Sequence, residues 1–353
     1  MRFWLPLILA LAACASSTPN QSNNNRGGAD GGNGGGGGGG GGGSDGSGGG
    51  GGGGGGALTL ITEPDDGLTP IYNLISSATT SIDMTMYELT DTKITSLLTS
   101  AAGKGLTVRV ILDQNLEKSS NTTAYDALSS GNVSVHWANP KYSATHQKTI
   151  TIDQSTSAVM SLNLVTEDYS TTRDFAVITN DAVDVAAIES TFGDDFTNST
   201  VTPSIGNNLV WSPTNSQSSM VAVINNAQST LVVENEEMSD SAIVSALSAA
   251  AKRGVSVEVV MTDSSSWSSE FSSLKSAGVK IVTYDANASL YIHAKVILAD
   301  HGSSGAVVFV GSENFSSASL TENRELGMTT SDTAILDGIA TTLASDYSGG
   351  TAY

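Results

Sequence analysis

An internal repeat is the sequence feature that most constrains the fold of this chain. Residues 90–114 align with residues 239–263, and the identical pairs include Asp91 with Asp240. Each copy begins with an aspartate suited to cap a helix, continues with apolar residues at helical spacing, and passes through glycine into a run of β-branched residues. A chain that contains one helix–strand unit twice buries the same apolar faces twice, so we expect two similar halves.

Further helix and strand patterns flank both copies and alternate along the chain. The alternation predicts an α/β fold with two similar halves, each a largely parallel sheet flanked by helices, related by a pseudo-twofold axis. We place the N-terminal half at residues 57–205 and the C-terminal half at residues 206–353. Polar groups at the strand ends of both halves could then form one site at the seam, which is the interface between the two halves. Because the duplication supplies both half-sites, we expect a monomer.

One pattern of reactive side chains, H-x-K-x-x-x-x-D, occurs once in each half. Its members are His146, Lys148 and Asp153 in the first copy and His293, Lys295 and Asp300 in the second. Histidine and lysine stand two positions apart on apolar runs that we interpret as strands, where such positions share a face. Imidazole can act as a nucleophile or as a general acid and base, and an ammonium group suits a phosphoryl oxygen. Two such strands facing each other could cleave a phosphodiester through a phosphohistidine.

The paired motif, followed in the second half by Gly311-Ser312-x-Asn314, resembles that of the phospholipase D superfamily. The resemblance covers most of the chain from about residue 58 to the C-terminus. It implies one site at the seam, in which one histidine attacks phosphorus and the other protonates the leaving alcohol and then activates water. By the same resemblance His146 is the nucleophile and His293 the acid, although the sequence alone does not separate the two roles.

The remaining site residues follow from the same resemblance. It implies that Asp174 and Glu325 each orient the histidine of their own half, and that Lys148 and Lys295 bind phosphate. Residues implied to bind the substrate are Asn163, Asn314 and Ser312, whereas Asp153 and Asp300 would be mainly structural.

Two positions depart from the repeated pattern. Met160 replaces the glycine that usually precedes the serine in this family, and Thr172 stands where the second half has Asn323. These departures keep a non-catalytic surface protein as an alternative. We expect neither a metal nor a cofactor, because the sequence has no His, Cys and carboxylate cluster at ligand spacing and the lysines can neutralise charge.

The first 56 residues predict export and anchoring. Residues 1–13 resemble a lipoprotein signal peptide, in which Leu11-Ala12-Ala13-Cys14 would place a lipid on Cys14. An ordinary signal peptide cleaved near Ala13 or beyond is the alternative. The glycine-rich stretch 14–56 predicts a flexible tether. The expected product is an exported, lipid-anchored bacterial protein in the outer membrane, the periplasm or at the cell surface.

Charge bears on the choice of substrate. The formal net charge is −20, from 15 lysines and arginines against 35 aspartates and glutamates. Such a field repels both nucleic acid and anionic lipid at low salt, so it is only a mild argument against a nuclease. Because the tether would hold the protein at a membrane, we expect a phospholipid at a membrane surface as the substrate and consider nucleic acid less favoured. An exported, metal-independent nuclease of the same superfamily is the alternative enzyme.

Overall fold

Each half of the protein is built around one mixed sheet with helices packed on it. The computed structural model describes residues 57–263 and 265–353. The predicted signal peptide, the lipidation of Cys14 and the tether therefore lie outside the described residues. Within the described ranges, no helix has both the length and the apolar character needed to cross a membrane.

The N-terminal half contains seven strands and four helices among the described residues. The strands are β1 (Leu58–Glu63), β2 (Ser81–Met86), β3 (Thr107–Leu112), β4 (Ser134–Trp137), β5 (Thr149–Ile152), β6 (Thr156–Met160) and β7 (Thr172–Thr179). The helices are α1 (Thr69–Ser76), α2 (Thr92–Gly103), α3 (Lys118–Ser130) and α4 (Ala182–Phe196).

The C-terminal half repeats this order with additions. Its strands are β8 (Leu209–Ser212), β9 (Thr230–Glu234), β10 (Ser256–Thr262), β11 (Lys280–Tyr284), β12 (Tyr291–Ile292), β13 (Val296–Ala299), β14 (Val307–Gly311), β15 (Glu325–Thr330) and β16 (Thr351–Ala352). Its helices are α5 (Ser216–Asn226), α6 (Ser241–Lys252), α7 (Ser268–Ser276), α8 (Ser317–Thr321) and α9 (Thr333–Gly349).

Strand order confirms two similar halves and corrects the prediction of largely parallel sheets. The first sheet runs β1-β7-β6-β5-β2-β3-β4, and the second runs β16-β11-β10-β9-β13-β14-β15-β8. Along these two orders only β2-β3-β4 and β9-β10-β11 pair in parallel, and the other neighbours are antiparallel. Parallel pairing follows the helical crossovers, whereas β5 returns through a short turn into β6 and must pair antiparallel with it.

Aspartates hold the repeated elements in place. Asp91 accepts hydrogen bonds from the first amides of α2, and Asp240 does the same for α6, which confirms the predicted caps. Asp153 and Asp300 both have a φ of 53°, and their carboxylates accept from the backbone amides that lead into β2 and β9. The last residue of each motif therefore fixes a turn at the far end of its strand.

The two sheets share a core between them. Phe175 and Val177 of β7 lie in one buried cluster with Val308 and Val310 of β14, together with apolar residues of α9. Each half has a further core of its own, between its sheet and helices α1–α3 or α5–α7. Burial of apolar surface across the seam thus holds the halves together.

Short backbone pairings link the histidine segment of each half to the other half. Strand β12 runs parallel to β7, with Tyr291 opposite Thr172. In the first copy, an equivalent parallel bridge joins Thr145 to Arg324 at the start of β15. Each histidine consequently lies beside the acidic strand of the opposite half.

Candidate active site

The two motif histidines are each held by a carboxylate from the opposite half. His146 donates from Nδ1 to Oε2 of Glu325 over 2.8 Å, and His293 donates from Nδ1 to Oδ1 of Asp174 over 2.8 Å. The expectation that each acid orients the histidine of its own half is therefore wrong.

Backbone pairing across the seam explains why each acid binds the histidine of the opposite half. The amide of His146 donates to the carbonyl oxygen of Arg324 over 2.9 Å, and that of His293 donates to Arg173 over 3.3 Å. Because Arg173 and Arg324 directly precede the two acids, this register brings each acid against the neighbouring half's imidazole. The pairing belongs to tertiary structure, and a repeat alignment cannot distinguish it from pairing within a half.

Each acid is itself held by further donors. Oε1 of Glu325 accepts from Ser319 Oγ over 2.6 Å and from Asn323 Nδ2 over 3.0 Å. Asp174 accepts from Ser161 Oγ through Oδ1, the oxygen that also binds His293. Sequence reasoning missed Ser319, because this serine lies on the short helix α8 outside the repeated motif.

The motif lysines are fully buried beside the histidines. Lys148 and Lys295 immediately precede β5 and β13, and both donate from Nζ to the carbonyl oxygen of their own half's histidine. The prediction that histidine and lysine sit inside the strands is therefore wrong by a few residues. Burial, followed by the charge of Lys295, lowers the pKa of Lys148 to about 7, so the two ammonium groups share one site.

The surroundings of His146 favour the neutral form of its imidazole. Burial lowers the pKa of its imidazole, and Lys148 and Lys295 act in the same direction, although Glu325 opposes them. Burial would raise the pKa of Glu325, but His146 and Lys148 hold it below its usual value. A neutral imidazole that donates from Nδ1 to an ionised carboxylate presents an unprotonated Nε2.

The predicted substrate-binding residues have different surroundings. Asn314 donates from Nδ2 to Glu236 over 3.3 Å, and the side-chain oxygens of Asn163 and Asn314 are buried with no hydrogen-bond partner among the described residues. Ser312 is fully buried; its hydroxyl accepts from the amide of Leu326, and its carbonyl oxygen lies 3.1 Å from Nδ1 of His146. Ser312 thus contacts the frame of the site in this structure.

A carboxylate outside the predicted set of site residues contacts the lysine and histidine of the second motif. Oε2 of Glu236 is 3.2 Å from Lys295 Nζ and 3.5 Å from His293 Nε2. In the repeat Glu236 aligns with Tyr87, whose ring contacts His146 with centroids 4.5 Å apart, so the alignment did not indicate a carboxylate at this position.

The side chains around the site do not form a cluster suited to a metal ion. Among residues 57–263 and 265–353, no group of three or more His, Cys, Asp or Glu side chains is arranged to hold one. The expectation of metal-independent chemistry stays a prediction for experiment.

Comparison with known proteins supports the family. The family model described as "Cardiolipin synthase, PLD-like domain" matches residues 71–196 and again residues 220–347. These two matches follow the internal repeat and together cover more than half of the chain. Among curated proteins, no sequence gives a significant match.

Solved structures share the fold at low sequence identity. Polyphosphate kinase from Porphyromonas gingivalis superposes with a TM-score of 0.66 at 15% identity, over 81% of this chain and 46% of that chain. The chain thus spans less than half of that kinase. Phosphatidylserine synthase from Haemophilus influenzae superposes with a TM-score of 0.64 at 11% identity, over 84% of this chain and 87% of that chain. Two matched repeats, two similar halves and two complete motifs lead to one conclusion: the chain belongs to the phospholipase D superfamily, in the family of cardiolipin synthase PLD-like domains.

Proposed function

We propose that the protein is a phospholipase D-like phosphodiesterase that cleaves the head-group phosphodiester of phospholipids through a phosphohistidine. Its family acts on phosphodiesters, which supports the reaction class. The observation that carries the proposal is the matched pair of histidines, each with Nδ1 on a carboxylate and each accompanied by a buried lysine. Two oriented imidazoles and two cations are the groups that this reaction needs.

In the first step, Nε2 of His146 attacks phosphorus. Because Nδ1 holds its proton against Glu325, the lone pair resides on Nε2. The P–N bond forms as the bond from phosphorus to the head-group oxygen breaks, and His293 gives that oxygen a proton. Lys148 and Lys295 stabilise the negative charge that accumulates on the phosphoryl oxygens.

In the second step, neutral His293 takes a proton from water as the water oxygen attacks phosphorus. The P–N bond breaks, His146 leaves as the neutral imidazole, and phosphatidate is released. If another alcohol replaces water, the same step transfers the phosphatidyl group to that alcohol. Asp174 stabilises His293 whenever this histidine carries the proton.

We further propose that the protein is exported and held at a membrane by lipid on Cys14. The glycine-rich tether would keep the folded part close to a phospholipid surface. This placement, together with the net charge of −20, favours lipid over nucleic acid as the substrate. A single site made from both halves is compatible with action as a monomer.

The test is head-group release from mixed phospholipid vesicles by the full chain in the presence of a chelator. His146→Ala and His293→Ala should each abolish release. His301→Ala is the matched control, because this exposed histidine bonds to Asp337. In protein denatured at alkaline pH during turnover, an alkali-stable, acid-labile phosphoryl group on His146 would support its assignment as the nucleophile.

Each outcome of this experiment is informative. Release that survives chelator and disappears in both motif variants supports the proposal. No release by the folded protein contradicts it for these lipids, and single-stranded and double-stranded DNA then become the substrates to test. Inactivity on both classes would favour the non-catalytic alternative.

A further inference from the structure

In the second half, the carboxylate of Glu236 lies against the hydrogen-bond donors that would otherwise bind an anion. One oxygen of Glu236, Oε2, lies 3.2 Å from Lys295 Nζ, 3.3 Å from Asn314 Nδ2 and 3.5 Å from His293 Nε2. The other oxygen, Oε1, accepts from the hydroxyl of Tyr291 over 2.9 Å. A phosphoryl oxygen bound by the second motif needs these same three donors, so Glu236 and the substrate compete for them.

The first half has no equivalent anion at the aligned position. Tyr87 stands there, with its ring against His146 and 4.8 Å from Nζ of Lys148. The asymmetry shows that a carboxylate is not required to build a half-site of this fold. Glu236 can therefore have a function that is specific to the second half.

Displacement of Glu236 would move it among other acids. Glu237 follows it directly, and the charge of Glu236 contributes to raising the pKa of both Glu237 and Asp168, for which burial is the larger cause. The pKa of Glu236 itself is held low by Lys295 and His293 despite its burial, so the side chain that has to move is an anion. A displaced carboxylate in these surroundings is stabilised by a cation brought with the phosphate.

An unsatisfied acceptor at the same place points to a ligand with N–H donors. Asn314 is 6% exposed, and its side-chain oxygen has no hydrogen-bond partner among the described residues. Its Nδ2 donates to Glu236, which fixes the orientation of the amide and leaves Oδ1 as the acceptor. A primary ammonium group can donate both to this oxygen and to the carboxylate, whereas a quaternary ammonium group has no N–H to donate.

We infer that Glu236 is a specificity residue that selects phosphodiesters whose alcohol carries a primary ammonium group close to the phosphate, as in phosphoethanolamine head groups. The inference rests on the proposed function and names its substrate class. The phosphate takes the place of Oε2 on Lys295 and His293, while the ammonium group bridges the displaced Glu236 and Oδ1 of Asn314. Head groups without this cation leave the displaced carboxylate unpaired and are disfavoured.

The test uses vesicles that contain equal amounts of phosphatidylethanolamine, phosphatidylcholine and phosphatidylglycerol. Released head groups are counted by mass spectrometry, so their ratios are ratios of kcat/KM. The full-length protein should release ethanolamine about tenfold faster than glycerol, and Glu236→Gln should reduce this preference to near unity. Glu237→Gln is the matched control, because its carboxylate bonds to Ser316 rather than to the anion-binding donors.

A second measurement does not depend on turnover. Binding of inorganic phosphate, followed by calorimetry, should tighten about tenfold in Glu236→Gln and much less in Glu237→Gln. Equal release of the three head groups, an unchanged preference in Glu236→Gln, or the same changes in both variants overturns the inference and leaves the proposed function standing. No release from any lipid refutes the proposed function and the lipid selectivity together, whereas the phosphate measurement still reports whether Glu236 competes for the anion site.

Discussion

Replacing Glu325 by glutamine and Asp174 by asparagine should have very unequal effects on activity, although both acids bind Nδ1 of a histidine from the opposite half. The inequality comes from the way in which each carboxylate distributes its hydrogen bonds. Glu325 uses Oε1 for Ser319 and Asn323 and Oε2 for His146, whereas Asp174 uses Oδ1 for both Ser161 and His293. Glutamine and asparagine offer only one acceptor oxygen, so the placement of that oxygen decides the result.

In Glu325→Gln the amide oxygen should take the Oε1 position. That placement keeps two donors satisfied, the hydroxyl of Ser319 and Nδ2 of Asn323, and the latter can only donate. The NH₂ group then faces Nδ1 of His146, and we expect its donation to prevail over the Ser312 carbonyl oxygen, 3.1 Å from that nitrogen, so that Nδ1 becomes an acceptor. The imidazole proton moves to Nε2, and the nucleophile is lost.

In Asp174→Asn the amide oxygen can occupy the Oδ1 position and accept from both Ser161 and His293. The tautomer of His293 is preserved, and the loss is limited to the charge that stabilises its imidazolium form. A charged hydrogen bond contributes about 1.5–3 kcal/mol and a neutral one about 0.5–1.5 kcal/mol, so the exchange costs about 1–1.5 kcal/mol, which is a loss of about five- to thirteenfold in rate. The wrong tautomer in Glu325→Gln should cost about 10⁴-fold, which is the loss that asparagine causes in place of the triad aspartate of serine proteases.

Two assays separate these effects. Rates of head-group release give the size of each loss, and ¹⁵N spectra of the four histidines report their tautomers. Glu313→Gln is a control for buried amide substitution, because Glu313 is fully buried and burial raises the pKa of its carboxyl well above the usual value. Equal losses in the two variants, or an unchanged tautomer of His146 in Glu325→Gln, would refute this reasoning.

Three further predictions concern stability. Lys148→Met should be inactive yet more stable by about 1–4 kcal/mol at pH 7, because a buried cation is removed. Folding lowers the pKa of Lys148 from 10.5 to about 7, so the free energy of unfolding of the wild type rises with pH through that interval. The difference in free energy of unfolding between Lys148→Met and the wild type, measured by chemical denaturation, should therefore shrink towards pH 10. Asp300→Asn should lose about 1–3 kcal/mol of stability in the same assay and keep most of its activity, because its carboxylate accepts from backbone amides away from the site. Its hydrogen bonds hold the pKa of Asp300 below its usual value despite partial burial, so this loss should diminish as the pH falls through the acid range. Gly311→Ala should lower the melting temperature by several degrees, because an added Cβ would lie 2.3 Å from Cα of Gly327, and an unchanged temperature would contradict the close packing of the two strands.

The repeat and the motifs were sufficient to predict the family and the two-half α/β fold. The helix caps at Asp91 and Asp240 also follow from local chemistry that the sequence displays, and the structural use of Asp300 was implied by the family resemblance. The prediction of largely parallel sheets was wrong, because a hairpin and a helical crossover can join strands with the same apolar pattern. Turn length, rather than periodicity, distinguishes these two connections.

The repeated motifs indicated which histidines, lysines and acids lie together, but not how they pair. Both histidines, both lysines and both acids meet at the seam, but the assignment of Glu325 to its own half was wrong because the seam register depends on packing between halves. Glu236 was missed since no motif contains it. A carboxylate in the loop after β9 has no distinguishing pattern until the fold brings it against Lys295.

The exchange of acids across the seam makes each half depend on the other for a complete histidine–acid pair. Neither half, expressed alone, contains a histidine with its orienting carboxylate, so separate pieces would be expected to gain activity only in proportion to the amount of reassembled pair. Two identical chains related by a true twofold axis could make the same exchange, and a gene fusion would preserve it. After fusion each half is free to lose symmetry at positions such as Tyr87 and Glu236, while the crossed histidine–acid contacts restrain both halves from drifting apart.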